Sequence, residues 1–206
     1  LPYSINMEEI KMQTKKEDIE QRIIEVATDE FMKKGYKNTS MRVIAYKANT
    51  SLGNIYHYFK NKDLLLQAII LPTLENIEYM MDQHIFNSKD NMLTKDEAMA
   101  YADHLDELFE QSELRCFLDK KVVIILNLES SSLLERKEKL LKNLQEHIQQ
   151  HFHMQENGHY SKLIIDILAD CLRHVLIEYE DIEQAKIEFI NVFKLFCTGI
   201  IGQMKC

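Results

Sequence analysis

Side chains suited to binding nucleic acid are concentrated between residues 39 and 62. The amide of Asn54 can bridge the N6 and N7 atoms of an adenine, and Leu52 can pack against the methyl group of a thymine. Hydroxyl, imidazole and ammonium groups in the same segment are suited to phosphate oxygens, as are backbone N–H groups at helix starts. The expected DNA contacts are Thr39, Ser40, Arg42, Ser51, Leu52, Gly53, Asn54, Tyr56, His57, Lys60 and Lys62.

The spacing of small and apolar residues predicts how this segment folds. Met41, Ile44, Ala45 and Ala48 follow helical spacing, and a second short helix is expected from about Ser51 to Tyr58. Between the two helices lies Asn49, a residue that tolerates left-handed backbone angles. Ala45 is small enough for a close helix crossing, and Ile55 lies ten residues later. The spacing of Ala45, Asn49 and Ile55 is typical of a DNA-binding helix-turn-helix.

The charge distribution supports this interpretation independently. The chain carries a net charge of −8, yet the window from Phe31 to Lys62 has seven basic residues and no acidic one. Residues 1–64 sum to +2 and residues 65–206 to −10. An acidic chain should repel DNA, so a local basic window indicates a local phosphate-facing surface.

The segment also resembles the signature of tetracycline-repressor-type (TetR/AcrR) regulators over about 50 residues. The matching positions are Thr39-Ser40, Ile44-Ala45, Ala48, Ser51, Gly53, Tyr56-His57-Tyr58-Phe59, Lys62 and Leu65. Asn49 stands where that family usually has glycine, and Leu52 stands where a polar or basic residue is common. The resemblance implies an N-terminal three-helix DNA-binding domain followed by a helical ligand-binding and dimerisation domain.

The rest of the chain predicts an all-α protein, because 206 residues contain only 5 Gly and 2 Pro. A capping box at Thr14 predicts the start of helix 1, and Gly35 predicts its end. We expect an N-terminal extension over residues 1–13, the helix-turn-helix domain over 14–60 and the larger domain over 61–206. Asn61 is expected to cap helix 4, and Pro72 either kinks that helix or begins a separate one. The further helices are predicted at Lys95–Gln111, Ser112–Leu128, Ser130–Met154, Tyr160–Tyr179 and Ile182–Met204, with a polar loop over 86–94 and Asp181 capping the last helix.

The last two predicted helices carry wide apolar stripes, which favour a homodimer built as a four-helix bundle. The alternative is that both stripes are buried within one subunit. Aromatic and aliphatic residues such as Met99, Phe109, Phe117 and Leu126 could enclose an apolar cavity or form a solid core. The resemblance implies a small, largely apolar effector, and His104, Arg173 and His174 are the candidate polar contacts.

Composition argues against several other classes. The four cysteines form no C-x-x-C pair, no apolar run approaches a membrane span and no secretion signal is visible, so a soluble cytoplasmic protein is expected. His147 and His151 are four residues apart, but they lack the H-E-x-x-H pattern and are expected to lie on the surface. We therefore predict neither catalysis nor a metal or cofactor.

The functional hypothesis is a ligand-responsive transcriptional regulator, most simply a homodimeric repressor that binds a palindromic operator. An activator or architectural DNA binder, a helical protein that sequesters a small molecule without binding DNA, and a metal-dependent helical enzyme are the alternatives.

Overall fold

The computed structural model describes residues 7–88, 94–111, 113–151 and 159–203, and all the regular secondary structure in these ranges is helical. The elements are α1 Met7–Asn38, α2 Met41–Lys47, α3 Leu52–Tyr58, α4 Lys62–Ser88, α5 Lys95–Asp103, α6 Leu105–Gln111, a 3₁₀ helix Glu113–Leu118, α7 Lys121–Leu126, α8 Leu134–His151, α9 His159–Glu178 and α10 Ile182–Gln203. The predicted all-α class is confirmed. None of these helices is both long enough and apolar enough to span a membrane.

Helices α1 to α3 form the N-terminal three-helix unit that the sequence predicted. Ile23 and Phe31 of α1, Ile44 of α2 and Ile55 of α3 are completely buried in one core. Gly35 adopts φ +78°, which ends the regular part of α1 where it was predicted to end. The predicted start is wrong, because α1 begins at Met7 and Thr14 lies inside the helix.

Helix α4 runs without interruption from the N-terminal unit into the rest of the molecule. The side chain of Asn61 accepts a hydrogen bond from the amide of Leu64 at 2.8 Å, which confirms the predicted cap. Pro72 lies inside α4 and does not begin a separate helix. Ile70 and Leu74 on either side of it are fully buried, so core packing holds the helix together across the missing N–H.

The larger region is divided into more and shorter helices than its apolar periodicity predicted. Lys95–Gln111 divides at His104 into α5 and α6, and Ser112–Leu128 divides at Asp119 into the 3₁₀ helix and α7. The Asp119 carboxylate accepts from the amide of Lys121 at 2.9 Å and from the hydroxyl of Thr73 at 2.7 Å. A side chain from α4 therefore stabilises the break before α7.

The end of the chain follows the prediction more closely. Helix α8 begins at Leu134, four residues later than expected, and α9 and α10 form two separate helices. The Asp181 carboxylate accepts from the amide of Glu183 at 2.8 Å, so the predicted cap of α10 is confirmed. Helix α4 continues to Ser88 inside the predicted polar loop, and residues 89–93 and 152–158 lie outside the described part of the chain.

The contact between the two regions is made by α1 and α4, which both pack against α7. A single hydrophobic cluster extends from Ile23 in α1 to Ile190 in α10. The N-terminal unit therefore rests directly on the larger region, and α4 is shared between them. The division at residue 60 remains a prediction.

Candidate nucleic-acid interface

The turn between α2 and α3 has the backbone that the sequence predicted. Asn49 adopts φ +49°, and it is the one non-glycine residue with positive φ in the described part of the chain. The amide of Thr50 then bonds to the carbonyl of Ala45 at 3.0 Å, which closes the turn. Ala45 and Ile55 are both buried, so the two short helices share a core.

Each short helix begins at a serine that acts as its N-cap. The Ser40 hydroxyl oxygen accepts from the amide of Val43 at 3.3 Å, and that of Ser51 accepts from the amide of Asn54 at 3.0 Å. Both side chains are exposed. Because the oxygen of each hydroxyl is the acceptor in the cap, its hydrogen remains available to a phosphate oxygen.

Helix α3 presents a polar face to solvent. Ile55 and Phe59 are buried, as predicted for Phe59, whereas Tyr56 and His57 are exposed. Asn54 is half-buried, and its amide nitrogen donates to the hydroxyl of Thr50 at 2.7 Å. The Asn54 carbonyl oxygen and its second N–H stay free for a base edge.

A shallow concavity of about 650 Å³ opens beside this face. It is lined by Lys37, Thr39, Ser40, Met41, Arg42, Leu52, Tyr56, Lys60, Asn61 and Lys62. Seven of the eleven predicted DNA contacts are therefore brought together, while Gly53, Asn54 and His57 lie on the adjoining face of α3 and Ser51 caps its start. The lining contains four basic residues and no acidic one, so it is electrostatically suited to a phosphate backbone.

Sequence reasoning missed Lys37, Met41 and Asn61 as parts of this concavity. Lys37 belongs to the basic window, so charge alone was a usable signal for it. Helical spacing predicts Met41 as a core residue, and Asn61 is predicted as a helix cap. The three residues come from the two ends of the helix-turn-helix segment, where α2 and α4 both pack against α1.

Thr39 requires a correction. Its side chain is 3% exposed, and its hydroxyl lies 2.9 Å from the carbonyl oxygen of Gly35 and 3.2 Å from that of Glu30. The hydroxyl has a single hydrogen, which these carbonyls already accept. We therefore withdraw Thr39 as a phosphate contact and assign it to the junction between α1 and α2.

The basic window is partly neutralised by Glu30, which directly precedes it. The Glu30 carboxylate is 2% exposed and pairs with Lys34, at 2.8 Å, and with Lys47. Hydrogen bonds from Lys34 and then Lys47 hold the pKa of Glu30 below its usual value. Two of the seven basic residues are thus engaged: Lys34 within α1, and Lys47 across the contact between α2 and α1. The glutamate four residues before Lys34 was the signal that sequence reasoning overlooked.

The predicted effector contacts, His104, Arg173 and His174, remain a prediction. His104 is exposed and its Nδ1 lies 2.8 Å from the carbonyl oxygen of Ala100, while His174 is exposed on α9. Arg173 is half-buried and pairs with Asp170 of its own helix at 2.5 Å.

The described residues contain no group of three or more histidine, cysteine or carboxylate side chains that could hold a metal. His147 is 9% exposed and takes part in an interaction, so the prediction of a surface histidine is wrong at this position. The side chain of His151 lies outside the described part of the chain.

Comparison with known proteins gives matches over the region that contains this interface. Residues 23–69 match the model of the bacterial regulatory proteins of the tetR family. The uncharacterised helix-turn-helix-type transcriptional regulator YhgD of Bacillus subtilis is 38% identical over 66 residues, which is 32% of this chain and 35% of YhgD. The helix-turn-helix-type transcriptional regulator UidR of Escherichia coli K12 is 38% identical over 64 residues, or 31% of this chain and 33% of UidR.

These alignments span about a third of the length of each relative. Among solved structures, a TerR/AcrR-family transcriptional regulator from Aquifex aeolicus is similar with a TM-score of 0.44 and 22% identity. That similarity covers 86% of this chain and 99% of the other.

Proposed function

Because this chain belongs to the tetR family of bacterial regulatory proteins, whose members regulate transcription by binding DNA and not by catalysis, we propose that it is a homodimeric repressor in the cytoplasm. In this proposal the protein binds a palindromic operator through residues 40–59 and is released by a small, largely apolar effector. The single observation that carries the DNA-binding part is the acid-free basic concavity beside the exposed face of α3.

The concavity is assigned to the phosphate backbone. Arg42 and Lys60 are exposed at its rim and supply positive charge, while the hydroxyls of Ser40 and Tyr56 supply hydrogen-bond donors. Such contacts hold the protein on the duplex without reading its sequence. His57, on the neighbouring face of α3, is assigned the same role.

Base reading is assigned to the first turn of α3. Asn54 keeps a carbonyl oxygen and an N–H for an adenine edge, and its bond to Thr50 fixes the direction of the amide. Leu52 is half-buried beside the concavity and is assigned to a thymine methyl. A Cβ at Gly53 would meet only the Ser51 hydroxyl, at 3.9 Å, so the open space there suits close approach of a duplex.

The homodimer is supported by apolar side chains left exposed on the last two helices. Leu163 and Ile177 of α9 are 47% and 57% exposed, and Ile187 and Leu195 of α10 are 48% and 73% exposed. Other apolar residues of the same helices are buried within the subunit, so the predicted stripes are divided between a core face and an outer face. A symmetric pairing of the outer faces would cover them and place two α3 helices on two half-sites.

The effector is proposed on the family membership and on the apolar interior of the larger region. Phe109 is buried, and Phe117 and Leu126 are half-buried against the core. An effector releases DNA only if it binds better to a conformation whose two α3 helices no longer match the half-sites.

The proposal is tested by incubating the protein with a pool of randomised duplexes and sequencing the bound fraction. We expect enrichment of a palindrome whose half-sites lie about one helical turn apart. Enrichment of a single half-site would contradict the dimer. No binding at low salt would contradict DNA binding and favour the sequestering protein, and reporter output from the selected operator would separate a repressor from an activator.

A further inference from the structure

We propose that Lys62 is a positioning residue of the DNA-binding site, although its type and place in the basic window predict a phosphate ligand. Its ammonium group acts on the helix-turn-helix through the backbone between α1 and α2. This inference rests on the proposed function, since it concerns how the same site is held in shape.

The hydrogen bonds of Lys62 are already directed inward. Its Nζ donates to the carbonyl of Tyr36 at 2.7 Å and to that of Thr39 at 2.9 Å, and it lies 3.5 Å from that of Lys37. An ammonium group has three N–H donors, and these carbonyls occupy all three directions. A phosphate oxygen would have to displace a bond that the protein itself makes.

The ring of Tyr36 covers the same ammonium group. Nζ of Lys62 lies 4.3 Å from the centre of this ring, at a distance suited to a cation–π interaction. Tyr36 is held in turn by an edge-on contact with Phe31, whose ring centre is 5.5 Å away and whose side chain is fully buried. Desolvation lowers the pKa of Lys62, in keeping with a partly buried ammonium group.

The three carbonyls belong to the segment that sets where α2 begins. Gly35 turns the chain at the end of α1, and Ser40, the N-cap of α2, follows Thr39 directly. Lys62 is the first residue of α4, so its ammonium joins the start of α4 to the start of α2. Residues at both helix starts line the basic concavity, so these hydrogen bonds join two parts of its lining.

Lys60 is the matched control in the same concavity. It lies two residues earlier and is exposed. Within the described part of the chain, its ammonium has neither a hydrogen bond nor an ion pair, so it is free to approach a phosphate.

The test compares Lys62→Met, Lys62→Arg and Lys60→Met with the full wild-type chain. Binding to a duplex of random sequence is measured at salt concentrations from about 50 to 200 mM. Over this range the affinity contributed by phosphate contacts changes strongly. Urea unfolding of each variant is measured in parallel.

For Lys60→Met we expect the slope of log K against log [salt] to fall by about one, with an unchanged urea midpoint. For Lys62→Met we expect an unchanged slope, binding weaker by about tenfold and a lower urea midpoint, as fits the loss of charge-assisted hydrogen bonds. Lys62→Arg keeps the charge but cannot fit its planar guanidinium among the three carbonyls, so we expect the same weakening at an unchanged slope.

Two results would overturn the inference. If Lys62→Met lowers the slope by about one and keeps the wild-type urea midpoint, Lys62 is a phosphate ligand. Wild-type affinity in Lys62→Arg would also overturn it, because only the positive charge of residue 62 would then be needed for DNA binding. If Lys62→Met fails to fold, the affinity of Lys62→Arg decides the question. Absence of binding by the wild-type protein overturns the proposed function and the inference together, which distinguishes that failure from the other two.

Discussion

Ser132 donates two hydrogen bonds to Asp63, which lies 69 residues earlier in the chain. Its main-chain amide is 3.1 Å from Oδ1 of the carboxylate and its hydroxyl is 2.5 Å from Oδ2. Gln67 donates to the same carboxylate at 3.0 Å and to the Ser132 hydroxyl at 2.9 Å. The turn before α8 is thereby fastened to the first turn of α4, next to the basic concavity.

This junction should stabilise the fold measurably. Although burial acts to raise the pKa of Asp63, the hydrogen bonds from Ser132 and Gln67 lower it below its usual value. We expect Asp63→Ala and Ser132→Ala to be coupled by about 1 kcal/mol in a double-mutant cycle of urea unfolding. Asp82→Ala, at an exposed position of the same helix, is the control and should change the free energy of unfolding little. Additive effects of the two substitutions would show that the contact does not contribute.

The buried Glu30 carboxylate predicts a pH dependence of stability. Its pKa in the folded state is lowered, so its stabilising effect is fully present above the unfolded-state pKa of about 4.3 and is lost as the pH falls through the lower folded value. We expect Glu30→Gln to reduce the free energy of unfolding by about 1–2 kcal/mol at pH 7. The difference from wild type should shrink as the pH approaches 3.

Asp29→Asn is the matched control for this experiment. Asp29 precedes Glu30, but it is exposed and lies 3.8 Å from the exposed Lys33. Such surface pairs contribute little, so the substitution should leave the pH profile of unfolding near that of wild type. A difference between Glu30→Gln and wild type that stays constant from pH 7 to pH 3 would refute the role of the charge.

The contact between Thr50 and Asn54 predicts a change in base preference. Asn54→Ala should remove about 1–3 kcal/mol of discrimination at one base pair of the selected operator. Thr50→Val should weaken the same preference less, because the amide remains but loses the hydroxyl that orients it. Both are measured by repeating the selection from randomised duplexes, with Asn191→Ala on α10 as the control. An unchanged preference in Asn54→Ala would remove this residue from the base contacts.

The exposed apolar face of α9 and α10 predicts that a charge there separates the subunits. Leu195→Glu should convert the protein from dimer to monomer in sedimentation equilibrium, because pairing would bury two carboxylates without partners. The weakened dimer should also lose affinity for a palindrome. Tyr79→Glu is the control, since Tyr79 is 59% exposed on α4, outside the proposed interface. A monomeric wild-type protein, or a dimeric Leu195→Glu, would exclude this interface.

The sequence by itself determined the local backbone conformation at turns and the residues that cap the helices. Gly35 ends α1, Asn49 adopts the left-handed turn, and Asn61 and Asp181 cap α4 and α10, all as predicted. These positions are readable because each residue type meets a need created by its immediate neighbours in the chain. The choice of Phe59 as a core residue follows in the same way from helical periodicity.

Tertiary structure alone decided which of the polar residues remain free to act on a partner. Lys62 and Thr39 carry suitable groups at suitable positions, yet their donors are engaged by carbonyls of the α1–α2 junction. Lys47 is paired with Glu30, 17 residues away, and Pro72 is kept within a continuous helix by the core on both sides. A donor or a charge is committed by whichever group the fold brings within about 3 Å of it. That proximity arises from packing between helices that are distant in sequence, so residue type and local spacing cannot predict it.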